Sequence, residues 1–210
     1  MPGAESRASL ALVDVGAAPR SIDHEAVRRA VADLLGALGE DVDAEGVRET
    51  PRRVAGAYTE LLTSPPFRLT TFPSEGYEGL IVARSIPFHS LCMHHLLPFR
   101  GLAHVGYLPG ERLVGLSKLA RVVELFARDL QIQERLTVQI ADWLEAALRP
   151  AGVGVVLEAE HMCVSLRGVQ RPGACTVTSA LRGAIRDDEH TRQEFLDLTA
   201  RTFHQGGTAA

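Results

Sequence analysis

From Ile22 onward the apolar residues fall three and four apart, with Val27, Ala30, Val31, Leu34, Leu35 and Leu38 on one stripe. That spacing predicts an amphipathic helix with Asp23 as its N-cap. A second helix is predicted from Thr50-Pro51, with Thr50 as cap and Pro51 at the first position. Its buried stripe would be Val54, Tyr58, Leu61 and Leu62. Residues 63–77 hold three prolines and read as loop.

The period then changes. Residues 79–89 and 101–108 read as strands, and 116–130 and 133–149 as amphipathic helices. In the second of these helices Leu136, Ile140, Trp143, Leu144 and Ala147 line one face. Residues 153–166 and 174–181 read as strands again, and a last helix covers about 188–202. The order is α-α, then β-β-α-α, then β-β-α. It predicts an α+β fold of antiparallel ββαα units, with helices on one face of the sheet and open edges that oligomerisation can pair.

Residues 1–21 and 205–210 read as flexible tails around a helical region at 22–76 and a main domain at 77–204. At 210 residues and 46% hydrophobic, the chain suits one globular domain with a sizeable core. A net charge of −4 gives no footprint for bulk nucleic-acid binding. No apolar run approaches the roughly 20 residues that span a membrane. The first 20 residues lack the basic start and apolar stretch of a secretory signal. Three cysteines argue against a disulfide framework. A cytoplasmic location is expected.

Two of those cysteines stand beside histidines. Residues 90–96 read Ser-Leu-Cys-Met-His-His-Leu, which gives a Cys-x-x-His spacing from Cys92 to His95 around His94. Far downstream, His161 and Cys163 lie two apart. Thiolate and imidazole suit zinc. Cys92, His95 and Cys163 form an obvious three-ligand set, and three protein ligands with an open fourth position are the arrangement of a catalytic zinc. A closed structural zinc is the alternative, with His94, His161 or Cys175 as fourth ligand. The blandest reading makes each Cys a small buried hydrophobe. On an extended 157–167 segment, His161, Cys163, Ser165 and Arg167 would share a face.

Residues 110–118 superficially resemble a phosphate-binding loop but fail its pattern, because Leu116 follows Gly115 and Ser117 precedes Lys118. Ser117 would instead cap the next helix, where Lys118 and Arg121 lie three apart and can meet one phosphate. The bland alternative is a solvated basic face. Gln133 and Glu134 open the following helix, where simple first-turn polarity explains them.

Taken together, Ser90–His95, Gly115–Lys118, Gln131–Thr137, His161–Cys163 and Arg167–Val169 resemble the signature segments of GTP cyclohydrolase I. Thr50–Arg53 and Thr176–Ala180 match as well, and the similarity runs in order from about residue 24 to 202. The resemblance implies the tunnelling fold, in which ββαα units assemble into a ring, here a homodecamer with active sites shared between subunits. It implies Zn2+ held by Cys92, His95 and Cys163, with His94 and His161 as catalytic histidines. Glu134, with Gln133, matches the guanine-reading segment. Ser117, Lys118, Arg121 and Arg167 match the triphosphate cradle, with Arg53 contributing. The implied reaction opens GTP at C8, releases formate and closes 7,8-dihydroneopterin triphosphate, the first step of a pterin pathway, folate or related. Met93 departs from the family, which usually has Glu there. Cys175 lies outside the matched ligands and is expected in the core.

Three other readings compete. A ring-opening hydrolase of the same fold would stop before closing the pterin. A related family reduces a nitrile on a deazapurine, but it uses a nucleophilic Cys without this ligand set. A non-catalytic binding protein with a structural zinc would need neither His94 nor His161.

Overall fold

A computed structural model describes residues 11–15 and 20–200 of the chain. The expected tail at 205–210 lies outside the described residues, as do 1–10 and 16–19 of the N-terminal one. Among the described residues no helix is long and apolar enough to cross a membrane.

The first helix, α1 (His24–Ala37), starts as expected, with the Asp23 side chain accepting from Ala26 N at 2.9 Å. Its stripe packs against α2 (Thr50–Leu62), and no α1 residue is fully buried. Leu34 and Leu38 remain exposed. In α2 the cap is Glu49 and not Thr50, and the buried residues are Pro51 and Ala55. Val54, Tyr58, Leu61 and Leu62 are half-buried, and Tyr58 Oη donates to Leu96 O at 3.4 Å.

The proline-rich stretch expected as loop contains a strand, β2 (Phe67–Pro73). Its prolines stand before it and at its last residue, so they cost the ladder nothing internal. Between them Leu69 and Thr71 point inward and Arg68 and Phe72 outward. The N-terminal stretch expected as tail likewise holds β1 (Ala11–Val15), antiparallel to β2. With β5 (Arg112–Val114) they make a three-stranded sheet, ordered β1-β2-β5.

The main sheet has five strands in the order β6-β3-β4-β7-β8: β6 (Leu130–Gln131), β3 (Ile81–Cys92), β4 (Pro98–Leu108), β7 (Gly152–His161) and β8 (Cys175–Gly183). All pairs are antiparallel except β3 with β6. The ββαα order holds: α3 (Leu116–Ala127) and α4 (Gln133–Leu148) follow β4 and cover one face. Phe99, Val105, Leu119, Leu136, Ile140, Leu144, Val155 and Leu157 are fully excluded from solvent in this core.

Helices were expected on one face only, and here the structure differs. After α6 (Ala184–Asp187), α7 (Glu189–Thr199) lies across the opposite face and forms a second core of Val156, Ile185 and Phe195. Glycines make that approach possible, since a Cβ at Gly154 would stand 2.6 Å from the Phe195 ring. The strand expected at 153–166 also stops early. β7 ends at His161 and the chain turns into α5 (Met162–Ser165), so the shared-face row His161, Cys163, Ser165 and Arg167 does not form.

Candidate metal centre and active site

The centre sits where β3 ends. Cys92, the last residue of β3, donates its N–H to Leu97 O at 2.8 Å and accepts at its carbonyl from Leu96 N at 2.9 Å. These bonds close a tight turn over 93–97, in which Leu96 takes a left-handed φ of 55°. The short strand β6 clamps the other side, with Met93 N donating to Gln131 O at 3.0 Å. The turn therefore projects His94 and His95 beside the buried Cys92 thiol.

Cys92 Sγ lies 3.8 Å from His94 Nδ1 and 3.6 Å from His95 Nδ1. Tetrahedral zinc with ordinary bonds to sulfur and nitrogen places those two atoms about 3.6 Å apart. Cys92, His94 and His95 offer ligand atoms all within 4.8 Å of one another. The Cys163 thiol lies against Cys92, delivered by the α5 turn and not by an extended strand. Burial pushes its pKa up, and the neighbouring Cys92 thiol adds to this. A divalent cation would reverse that cost by favouring both thiolates. The ligand types and the Cys92–His95 spacing thus fit zinc, whereas the group that meets within 4.8 Å is Cys92, His94 and His95 and does not include the expected ligand Cys163.

His161 completes this end of the sheet. Its imidazole lies flat on Phe99, its cross-strand partner, with ring centroids 4.6 Å apart and planes 6° from parallel. Burial holds its pKa below the usual imidazole range, while the Glu134 carboxylate nearby pulls the other way. Its Nε2 lies 2.8 Å from Gln133 Oε1. Arg167 is exposed, and its charge reaches the Cys163 thiol. Cys92, His94, His95, Cys163, His161, Gln133, Glu134 and Arg167 are therefore brought together.

The remaining predicted residues are not. Ser90 Oγ donates to Asp129 O at 3.1 Å, which fixes the C-terminal end of α3 next to the cysteine-histidine turn. Ser117 and Lys118 stand at the other end of that 12-residue helix, about 17 Å away by helix rise. Ser117 is not the expected cap. That position falls to Gly115, with no side-chain capping bond. Arg121 is exposed and paired with Glu124 Oε2 at 2.9 Å. Arg53 is exposed on the first turn of α2.

Two further expectations need correcting. Cys175 is exposed at the start of edge strand β8, not in the core. Gln133 is buried, and its amide nitrogen is spent inside the protein, bonding Leu157 O at 3.1 Å, Thr176 O at 2.9 Å and Thr178 Oγ1 at 3.1 Å. It has no N–H left for a ligand. Sequence reasoning also missed Phe99, Thr137 and Thr178 as supports of the site. One signal was there: Gln133 and Thr137 lie four apart on the same face as Leu136 and Ile140, the stripe that α4 buries.

Comparison with known proteins agrees with this geometry. Residues 27–200 match the family model described as GTP cyclohydrolase I. GTP cyclohydrolase 1 of Thermobifida fusca is 50% identical over 191 residues, covering 88% of this chain and 92% of the relative. The Aquifex aeolicus protein of that name is 51% identical over 179 residues, covering 85% and 97%, and that of Streptococcus mutans is 50% identical over 181 residues, covering 84% and 94%. Matched along most of its length by model and relatives alike, the chain belongs to the GTP cyclohydrolase I family.

Proposed function

We propose that the protein is a zinc-dependent enzyme that converts GTP and water into 7,8-dihydroneopterin triphosphate and formate, the first step of a pterin pathway, in the cytoplasm. The observation that carries this reading is the convergence of Cys92, His94, His95 and Cys163 beside His161 in a chain of this family.

Cys92, His95 and Cys163 hold the metal. When bound, zinc supplies a Lewis acid that brings the pKa of a coordinated water toward neutrality. Ring opening at C8 of guanine needs a proton taken from water and another delivered to the departing ring nitrogen. His94 and His161 perform these transfers, since imidazole exchanges protons near neutral pH. A second hydrolysis releases formate. The ribose then opens, rearranges and closes onto the pyrimidine amine. Glu134 reads guanine, its carboxylate accepting from N1–H and the 2-amino group.

Ser117, Lys118, Arg121, Arg167 and Arg53 hold the triphosphate. The length of α3 keeps Ser117 and Lys118 from the metal end of their own protomer. Supply of these residues by a second copy accounts for this, and favours a ring of tunnelling-fold subunits, a homodecamer, with sites between subunits. Met93 replaces the family's usual Glu, yet it is exposed and its backbone N–H donates to Gln131 O, so the turn forms without a carboxylate there.

Mass spectrometry of the products from GTP, with and without a zinc chelator, tests the reading. Chelator-sensitive dihydroneopterin triphosphate and formate are expected. A ring-opened formyl product would assign the chain to non-cyclising hydrolysis. No turnover by zinc-replete, assembled protein would overturn catalysis altogether.

A further inference from the structure

The buried Gln133 amide joins four partners whose roles can be worked out atom by atom. Its nitrogen faces two backbone carbonyls, Leu157 O and Thr176 O, at 3.1 and 2.9 Å. Turning the amide over would press oxygen against both carbonyl oxygens, so Nε2 is the end that faces them. Thr137 Oγ1 donates to Gln133 O at 2.7 Å. Its one proton is then used, so in its 2.7 Å contact with Thr178 Oγ1 it accepts. The Thr178 hydroxyl donates there and is free to accept from Gln133 Nε2. The two amide hydrogens are shared among these three acceptors, and the network is consistent with one amide orientation.

That orientation leaves Gln133 Oε1 as the group facing His161 Nε2 at 2.8 Å. An amide oxygen can only accept, so Nε2 must carry a hydrogen. Phe99 lies flat along the ring's face and supports it there.

We propose that Gln133 is a positioning residue that holds the neutral His161 ring as its Nε2–H tautomer, leaving Nδ1 as the atom with the free lone pair. This rests on the assignment of His161 as a proton-transfer residue above. It replaces a guanine contact by the Gln133 side chain with an indirect role, through the imidazole. The neighbouring Glu134 remains exposed on the first turn of α4 and keeps the ligand-facing role. Holding one tautomer matters because the wrong one presents a hydrogen where the reaction needs a lone pair.

The test uses full-length zinc-loaded protein labelled with 15N-histidine, sedimented for solid-state NMR at a pH where imidazoles are neutral. The His161 signals are assigned by their loss in His161→Asn. A protonated Nε2 and an unprotonated Nδ1 are expected, and a protonated Nδ1 would overturn the proposal without any Gln133 variant having to fold. Gln133→Leu should then mix the tautomers and lower kcat for GTP by about 100-fold with KM within about two-fold, the range of an outer-shell support to a general acid–base group. A raised KM with unchanged kcat would restore the guanine contact and overturn positioning. A lowered kcat with the tautomer unmoved would also overturn it, by making Gln133 a packing element. If the tautomer is as expected but the wild-type protein does not act on GTP, the functional reading falls and the tautomer assignment stands.

Discussion

Phe99 and His161 are cross-strand neighbours on β4 and β7, and their rings stack at 4.6 Å, so the imidazole is held by a core side chain that is itself fully buried. Phe99→Leu keeps the site apolar but removes that flat support. It should cost about 1–2 kcal/mol of stability, read by denaturant titration, from lost aromatic contact and imperfect filling. It should also lower kcat more than it raises KM. Unchanged kcat in a folded variant would separate His161 positioning from Phe99.

Metal and turnover should come apart by residue. Cys163→Ala removes a thiolate beside Cys92 and should release zinc, measured by metal analysis after gel filtration, with loss of turnover. His161→Ala should keep its zinc and lose about 100-fold or more in kcat, the usual contribution of a general acid–base group. Full activity in His161→Ala would refute its assigned role.

Because α3 separates Ser117 and Lys118 from the cysteine-histidine turn, two inactive variants should rescue each other. Lys118→Ala and Cys163→Ala, unfolded together and reassembled in equal amounts, should recover about a quarter of wild-type activity if each site draws on two copies. Sites contained in one protomer would recover none.

Gly101 lies on β4, between the metal turn and the core. A Cβ there would come within 1.8 Å of Glu158 O and 2.7 Å of Ala159 Cα on β7, which only backbone movement could relieve. Gly101→Ala should destabilise by about 2–3 kcal/mol, in the range of overpacked cores. A denaturation midpoint equal to wild type would show that β7 yields easily.

His104 gives a pH dependence unconnected with the metal. It is fully buried on β4, and neither ring nitrogen has a hydrogen-bond partner among the described residues. Burial first, and the Arg84 charge second, hold its pKa below the usual value. The unfolded chain therefore takes up a proton before the folded one does. The sign follows: stability is intact above the ordinary imidazole range, about 6.5, and declines as pH falls below it. His104→Leu removes the uncompensated ring at similar volume. It should be neutral or more stable by about 1 kcal/mol at pH 7 and lose less stability at pH 5 than wild type. Equal acid sensitivity in the two proteins would place the titration elsewhere.

Local periodicity made α1, α3, α4 and α7 legible in the sequence, because a helix face is written in neighbours three and four residues apart. The ligand types were legible too, since thiolate and imidazole near one another in sequence already restrict the chemistry. Tertiary structure alone decided the rest. β2 became a strand because partners at Ala11–Val15 and Arg112–Val114 lie far along the chain, while its flanking prolines masked a short alternation. α7 went to the opposite face because glycines on β4 and β7 admit Phe195 there. Gln133 reads as an ordinary first-turn polar residue until its amide meets Leu157 and Thr176, 24 and 43 positions away. Such contacts depend on which strands pair and in what register, and no window of neighbouring residues records that.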